Sequence, residues 1–194
     1  MSAAPQLFDL PPVGPPGFAY RAELVSPEEE AELLARLAEL PFEPFLFQGF
    51  EGRRRVCSFG HRYDFNGPGL VDAPPIPDWL LPIRARAAAF AGLPPEAFAH
   101  LLINEYREGA PIGWHRDRPV FAEVVGLSLL APCTFRMRRR TPDGFERAAL
   151  TVEPRSAYLL SGPARSEWEH SIPPVEALRY SITFRNFRGE RAPH

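Results

Sequence analysis

The order of hydrophobic and polar positions along the 194-residue chain predicts helices first and strands afterwards. Residues 26–29, Ser-Pro-Glu-Glu, combine an N-cap, a proline at the first helical position and a capping-box glutamate, so a helix is predicted to begin there. Apolar residues then recur at helical spacing as far as Leu40, and Pro41 ends the pattern. A second helix is predicted from Asp78 to Ala91, with Gly92 as its stop.

From residue 98 onward the apolar period changes from helical spacing to two, which is typical of strands. Turn residues separate six such runs, FAHLLINEY, EVVGLSLLA, CTFRMRRR, RAALTVE, SAYLLSG and LRYSITFRNF. Two helices followed by six or more antiparallel strands predict an α+β fold. Its strands form a double sheet or jelly roll, and the helices pack on the outer face of one sheet. The chain shows neither βαβ alternation nor a glycine-rich phosphate loop, which argues against a Rossmann or P-loop protein.

Composition and charge limit the function classes. The chain is 45% hydrophobic and 24% charged, as expected for a globular protein, and no linker divides it, so one domain over residues 1–194 is predicted. Residues 1–20 are rich in proline and are predicted to run extended over the surface. The apolar runs are too short to span a bilayer and no signal peptide is recognisable, so no membrane association and a cytoplasmic location are expected.

Cysteine content and net charge exclude two further classes. With only Cys57 and Cys133 there is no disulfide framework and no C-x-x-C motif. The net charge of -2 argues against a protein that wraps nucleic acid by bulk electrostatics, although it leaves room for local basic patches.

A short motif offers candidate metal ligands. His115 and Asp117 are two residues apart, so on an extended segment both side chains leave the same face and can bind one ion. A third ligand would complete the 2-His-1-carboxylate triad of non-haem Fe(II) enzymes. His170, which follows a strand-like run and a turn, can supply that ligand from across a sandwich.

Polar residues replace apolar ones on one face of the last predicted strand. A polar row in a sheet interior indicates that the cavity holds an anion. The planar guanidinium groups of two arginines can each bind a carboxylate in a bidentate manner, which suits a dicarboxylate. Asn104 and Tyr106 share one face of an earlier run and can hydrogen-bond the same anion. The polar row of the last strand consists of Arg179, Ser181, Thr183 and Arg185.

Four features in this order resemble the AlkB family of Fe(II)- and 2-oxoglutarate-dependent dioxygenases: N-x-Y at 104–106, H-x-D at 115–117, the later His170 and R-x-S-x-T-F-R at 179–185. The resemblance implies a double-stranded β-helix with a catalytic core over residues 98–188. It also implies a cosubstrate, 2-oxoglutarate, and O₂, which together hydroxylate an N-alkyl group that then leaves as an aldehyde. The implied iron ligands are His115, Asp117 and His170.

The resemblance also assigns the cosubstrate site. Arg179 and Tyr106 are implied to hold the distal carboxylate of 2-oxoglutarate. Asn104 and Arg185 are implied to lie near its iron-chelating end, with Ser181 close to the cosubstrate.

Residues 42–70 are predicted to form a nucleotide-recognition lid, because aromatic residues alternate there with arginines. Unpaired bases stack on aromatic rings while arginines follow phosphates. A second basic cluster at residues 136–140 either accompanies the lid or is a solvated face. The candidate substrate contacts are Arg54, Arg55, Phe59, His61 and Tyr63, together with Trp168, for which packing against the metal site is the alternative.

The expected function is oxidative dealkylation of N-alkylated bases, in single-stranded or flipped DNA, as a DNA-repair activity with no obligate protein partner. One departure weakens the DNA assignment: Arg118, Pro119 and Val120 follow the H-x-D motif, where family members that repair DNA commonly place an acidic residue. The alternatives are the same iron chemistry on RNA or tRNA bases, on a protein or on a small molecule. A metal-free β-sandwich binding module is the non-enzymatic alternative.

Overall fold

A computed structural model describes residues 14–47, 50–64 and 69–189. Its helices are α1 (Pro27–Leu37), α2 (Leu81–Ala91) and the short α3 (Gly162–Ser166). Its strands are β1 (Phe18–Arg21), β2 (Glu43–Phe47), β3 (Phe50–Phe59), β4 (His61–Asp64), β5 (Gly69–Asp72), β6 (His100–Tyr106), β7 (Ile112–His115), β8 (Phe121–Leu129), β9 (Cys133–Thr141), β10 (Gly144–Val152), β11 (Ala157–Leu160), β12 (Glu169–Ile172) and β13 (Arg179–Phe187).

Both predicted helices form, and capping residues mark the start of α1 and the end of α2, whereas α1 ends at Leu37, before the predicted Leu40. At the start of α1 the Ser26 hydroxyl accepts a hydrogen bond from the Glu29 amide, and the Glu29 carboxylate accepts one from the Ser26 amide. Glu29 also forms an ion pair with Arg86 of α2, which joins the two helices. Helix α2 ends at Gly92, whose φ of 70° is left-handed, and it begins later than predicted because residues 78–80 form a 3₁₀ turn.

The strands form two main sheets and one hairpin. A seven-stranded sheet has the order β1-β11-β8-β13-β6-β3-β2, and a four-stranded sheet has the order β10-β9-β12-β7. Strands β4 and β5 pair as a separate hairpin. Apolar side chains of both sheets, such as Phe135 and Ile172 of the small sheet and Tyr158 of the large one, share one buried cluster. The two sheets therefore pack face to face.

The helices cover the opposite face of the large sheet. Leu37 of α1 and Ala87 of α2 are fully buried in a second cluster with Leu101, Ile103 and Ile182 of the large sheet. The predicted α+β jelly roll, with helices on the outer face of one sheet, is confirmed. No helix within the described ranges is long and apolar enough to cross a membrane.

The predicted order of two helices and then strands is wrong at the N-terminal side. Strand β1 precedes α1 and pairs with β11 at the edge of the large sheet, so residues 18–21, which overlap the predicted extended segment, form an edge strand. Residues 1–13 lie outside the described part. Strands β2 to β5 lie between the helices and overlap the predicted lid region 42–70, although β5 continues to Asp72, and β3 pairs with β6. Hydrophobic periodicity does not reveal β3, because arginines occupy both of its faces.

Candidate metal centre and cavity

The two histidines and the aspartate of the candidate metal site meet on the inner face of the small sheet. His115 ends β7 and is the cross-strand partner of His170 in β12, while Asp117 follows β7 in the next loop. The potential ligand atoms of the three residues lie within 4.8 Å of one another. His115 Nε2 is 3.7 Å from Asp117 Oδ1, and the two imidazole centroids are 4.2 Å apart. These residues can hold one metal ion in a facial arrangement.

Hydrogen bonds to neighbouring residues orient two of these side chains. His115 Nδ1 lies 2.9 Å from the Gly113 carbonyl, which can only accept, so Nδ1 carries the proton and Nε2 keeps its lone pair for a metal. Arg185 Nε donates to Asp117 Oδ2 at 2.9 Å, which leaves Oδ1 facing the histidines. Such contacts are typical of metal sites, where they fix ligand orientation.

The electrostatics of the cluster favour the protonation states that bind metals. Burial lowers the pKa of His115, and burial together with the nearby His115 lowers the pKa of His170 to about 3. Burial alone would raise the pKa of Asp117, but the charge of Arg185 and the two imidazoles outweigh it and hold that pKa well below its ordinary value. At neutral pH the cluster therefore presents two neutral imidazoles and one carboxylate.

The polar row of β13 faces the small sheet, next to the metal cluster. Register pairs Arg179 with Tyr106 and Ser181 with Asn104 of β6. Asn104, Tyr106, Ser181 and Arg185 line a cavity between the sheets. Arg179 is fully buried just outside that lining, with its guanidinium carbon 5.0 Å from the Tyr106 ring centroid.

Several buried polar atoms in this region have no hydrogen-bond partner among the described residues. They include Arg179 Nη1, Arg185 Nη1 and Asn104 Oδ1, although Arg179 Nε donates to Ser128 Oγ at 3.0 Å. A buried polar group without a partner costs about 1–3 kcal/mol, so a ligand that engages these atoms is favoured. The two unpaired guanidinium nitrogens can donate to carboxylates, which fits the predicted dicarboxylate.

The cavity has a volume of about 1170 Å³ and a lining rich in arginine. Among the lining residues that the structure describes, only Glu43, Asp117 and Glu169 oppose that positive charge. A concave site with such a surplus attracts anionic ligands. The lining arginines are Arg53, Arg54, Arg62, Arg116, Arg118, Arg165, Arg185 and Arg188.

Of the arginines predicted to touch substrate, the structure brings Arg54 to the cavity and turns Arg55 away. Arg54 lines the cavity with its guanidinium carbon 3.8 Å from the centroid of the Phe45 ring, and burial lowers the pKa of that guanidinium. Arg55 lies on the opposite face of β3 and binds both carboxylate oxygens of Glu105 at 2.8 Å. Phe59 shares that face and is buried in the helix-side core. The alternation of side chains along a strand separates these neighbours.

Two other predicted substrate contacts, His61 and Trp168, do not line the cavity. His61 packs edge-on against Phe187, with ring centroids 5.2 Å apart, and its Nδ1 lies 3.6 Å from Asp72. Trp168 is buried in the core between the sheets, which matches the alternative of packing near the metal site. The side chain of Tyr63 lies outside the described part of the structure.

The sequence prediction missed several cavity residues, and three of them are His100, Trp114 and Tyr158. His100 lies on the same face of β6 as Asn104 and Tyr106, so the alternation of side chains along that strand could have indicated that it lines the cavity. Trp114 is adjacent to His115 and also lines the cavity. Tyr158 faces it from β11, and burial raises its pKa above the ordinary value. No motif in the sequence marks Tyr158.

Comparison with known proteins agrees with this geometry. Residues 17–185 match the 2OG-Fe(II) oxygenase superfamily. "Uncharacterized protein L905" of Acanthamoeba polyphaga mimivirus is 26% identical over 194 residues, covering 92% of this chain and 88% of that protein.

Two further relatives have functional names. The "Alkylated DNA repair protein ALKBH8 homolog" of Arabidopsis thaliana is 27% identical over 81% of this chain, which spans 51% of that protein. The "Probable RNA/DNA demethylase ALKBH6" of Danio rerio is 29% identical over 76% of this chain and 60% of that protein. The chain thus spans little more than half the length of either.

The solved structure of OsALKBH1 superposes with a TM-score of 0.71, over 89% of this chain and 97% of that one. The sequence identity is 16%, so this match shows a shared fold.

Proposed function

The chain belongs to the 2OG-Fe(II) oxygenase superfamily and is AlkB-like, and on this premise we propose that it removes alkyl groups from the nitrogens of nucleobases. The superfamily uses Fe(II), 2-oxoglutarate and O₂. The observation that carries the proposal is the His115, Asp117 and His170 cluster at an arginine-lined cavity. Residues 1–194 act in this proposal as one dioxygenase domain.

The side chains of the cluster have the chemistry that the cofactors require. His115, Asp117 and His170 would hold the iron, with Arg185 keeping Asp117 in place through its 2.9 Å hydrogen bond. When bound, iron with 2-oxoglutarate and O₂ supplies the oxidation that hydroxylates the carbon attached to the base nitrogen, so that the carbon leaves as an aldehyde. The protein supplies binding and orientation.

The polar residues of β6 and β13 would position the cosubstrate. Arg179 and Tyr106 would hold its distal carboxylate, because the Nη1 donor of Arg179 is buried without a partner. Asn104, Ser181 and Arg185 would lie along the remainder of the molecule toward the metal cluster.

The positive cavity supports a polyanionic substrate. Arg54 and Phe45 combine a cation with an aromatic ring at the cavity wall, which suits a phosphate and a base of an unpaired nucleotide. Two relatives carry names that refer to alkylated DNA repair and to RNA or DNA demethylation. We take single-stranded or flipped DNA as the substrate, with RNA as the alternative that the experiment separates.

The proposal is tested with a panel of N-methylated DNA and RNA oligonucleotides, incubated with Fe(II), ascorbate and 2-oxoglutarate. Mass spectrometry measures the loss of the methyl group, and a separate assay measures succinate. We expect DNA to be demethylated faster than RNA, and we expect His115→Ala and Asp117→Ala to abolish both readouts. Asp78→Ala, an exposed carboxylate on the helix side, is the matched control and should be as active as the unmodified protein.

Each outcome has a defined meaning. Full turnover by His115→Ala would contradict the assignment of the iron ligands. Succinate formation without demethylation of any oligonucleotide would contradict the nucleobase substrate and favour a protein or small molecule. Absence of Fe(II) or Mn(II) binding would favour a metal-free binding module.

A further inference from the structure

The outer face of the small sheet carries a row in which arginines and aromatic rings alternate. The guanidinium carbons of Arg136 and Arg138 lie 5.1 Å and 4.4 Å from the ring centroid of Trp114. Arg138 also lies 4.6 Å from the Phe145 centroid, and Arg147 lies 5.5 Å from the same ring. The row thus joins β7, β9 and β10, and we call it the Arg-aromatic row.

Strand register and hydrogen bonds hold the row in place. Arg147 of β10 is the direct partner of Arg138 in β9. Arg136 Nε donates to Ser171 Oγ at 3.1 Å, and Arg138 Nε donates to Glu169 at 2.6 Å. Each of these two guanidinium groups is therefore fixed through Nε and a ring. Their terminal nitrogens make no hydrogen bond to any residue that the structure describes, so they remain available to a ligand.

The surface around the row is positively charged. Arg140 is exposed next to the row and adds a fourth positive charge, whereas Glu169 is the one acidic group bonded to the row within the described residues. The nearby Glu146 and Glu167 are both bound by Arg139. A surface with this surplus is complementary to a polyanion. Because its arginines are already ordered, binding costs them less side-chain freedom.

The row begins at the mouth of the cavity. Trp114 and Glu169 both line the cavity, and Trp114 immediately precedes the candidate iron ligand His115. Alternate residues along β9 are about 6.6 Å apart, a spacing similar to that of successive phosphates in an extended strand. A strand with one base in the cavity can therefore continue over the row.

We propose that the Arg-aromatic row binds the phosphate backbone of the nucleic-acid strand that flanks the base held in the cavity. This inference rests on the proposed function and adds to it a path for the flanking nucleotides. It predicts that a long substrate binds more tightly than a short one, because only the long strand reaches the row.

The test compares a 15-nucleotide strand and a 3-nucleotide strand that carry the same N-methylated base. The variant is Arg136→Gln with Arg147→Gln, which removes two charges from the row. The matched control is Arg21→Gln with Arg36→Gln, two exposed arginines on the opposite side of the large sheet. Binding is measured by fluorescence anisotropy with Mn(II) and 2-oxoglutarate without O₂, and turnover is measured with Fe(II) in air.

For the row variant we expect at least about a tenfold loss of affinity for the 15-mer, since charge-assisted contacts to two phosphates are lost. The slope of log K against log salt concentration should fall in magnitude by about 1.4, or about 0.7 for each phosphate contact on a single strand. Turnover of the 3-mer should stay unchanged, as should its KM, and the control should behave as the unmodified protein.

Two results would overturn the proposal. One is equal affinity of the row variant and the control for the 15-mer. The other is a row variant that loses turnover of the 3-mer to the same degree as of the 15-mer, which would indicate a structural role. If the unmodified protein forms succinate but demethylates neither strand, the proposed function itself is contradicted, and the row proposal with it.

Discussion

Gly126→Ala is expected to destabilise the protein by overpacking the wall of the cavity. Gly126 of β8 lies opposite Tyr158 of β11, and a Cβ added there would meet the tyrosine Cζ at 2.3 Å and its hydroxyl oxygen at 2.5 Å. The ring would have to move, but it is buried and packs 4.5 Å from the Phe135 ring. Phe135 in turn stacks on His170 with ring centroids 5.4 Å apart. The displacement would thus reach a candidate iron ligand.

The expected loss of stability is about 1–3 kcal/mol, the usual cost of forcing additional carbon into a packed core. For a chain of this size 1 kcal/mol corresponds to about 2–4 °C in Tm, so a loss of about 2 kcal/mol lowers Tm by about 4–8 °C. Affinity for Mn(II) should fall as well, because the stacking of Phe135 on His170 is disturbed. In the double variant with Tyr158→Leu the smaller side chain leaves room for the Cβ, and the cost of Gly126→Ala should disappear.

Urea denaturation measures the unfolding free energy of the two single variants and the double variant as a cycle, and calorimetry measures Mn(II) binding. Gly113→Ala is the control, because a Cβ at Gly113 meets no described residue within 4 Å and its φ is not left-handed. A Gly126→Ala protein as stable as the control would refute the packing explanation. So would a cycle in which Tyr158→Leu does not reduce the cost of the alanine.

Three further predictions test single contacts. Arg185→Leu should weaken Mn(II) binding by about 10–100-fold in calorimetry, because Asp117 loses the partner that orients it; unchanged affinity would contradict that role. Arg54→Gln should lower oligonucleotide turnover, whereas Arg55→Gln should leave turnover unchanged and lower the unfolding free energy by about 1 kcal/mol; the reverse result would contradict the register of β3. The hydrogen bond from Arg86 of α2 and the capping bond from Ser26 lower the pKa of Glu29 to about 2. The stability that Glu29 contributes is therefore complete above its ordinary pKa of 4.5 and is lost as the pH falls towards 2. Glu29→Gln should therefore cost about 1 kcal/mol in urea denaturation at pH 7, with a difference that shrinks below pH 4.5; a constant difference would exclude the linkage.

Local sequence signals determined the helices and the division of polar and apolar residues along the inner strands. The capping box at Ser26 and the left-handed Gly92 mark helix ends because they satisfy local backbone groups. In β13 the alternation of Arg179 and Arg185 with Ile182 and its apolar neighbours indicated a polar cavity on one face and a core on the other. That division depends only on the twofold period of a strand.

Only the tertiary structure decided which neighbouring residues reach the cavity. Arginines occupy both faces of β3, so alternation cannot tell that Arg54 faces the cavity while Arg55 binds Glu105. The contact of Gly126 with Tyr158 likewise depends on long-range register between strands. The sequence by itself thus determined the candidate ligands and the strand periodicity. Long-range strand pairing decided which residues form the cavity wall and the Arg-aromatic row. These contacts join residues that are far apart in the chain, so they leave no local sequence pattern.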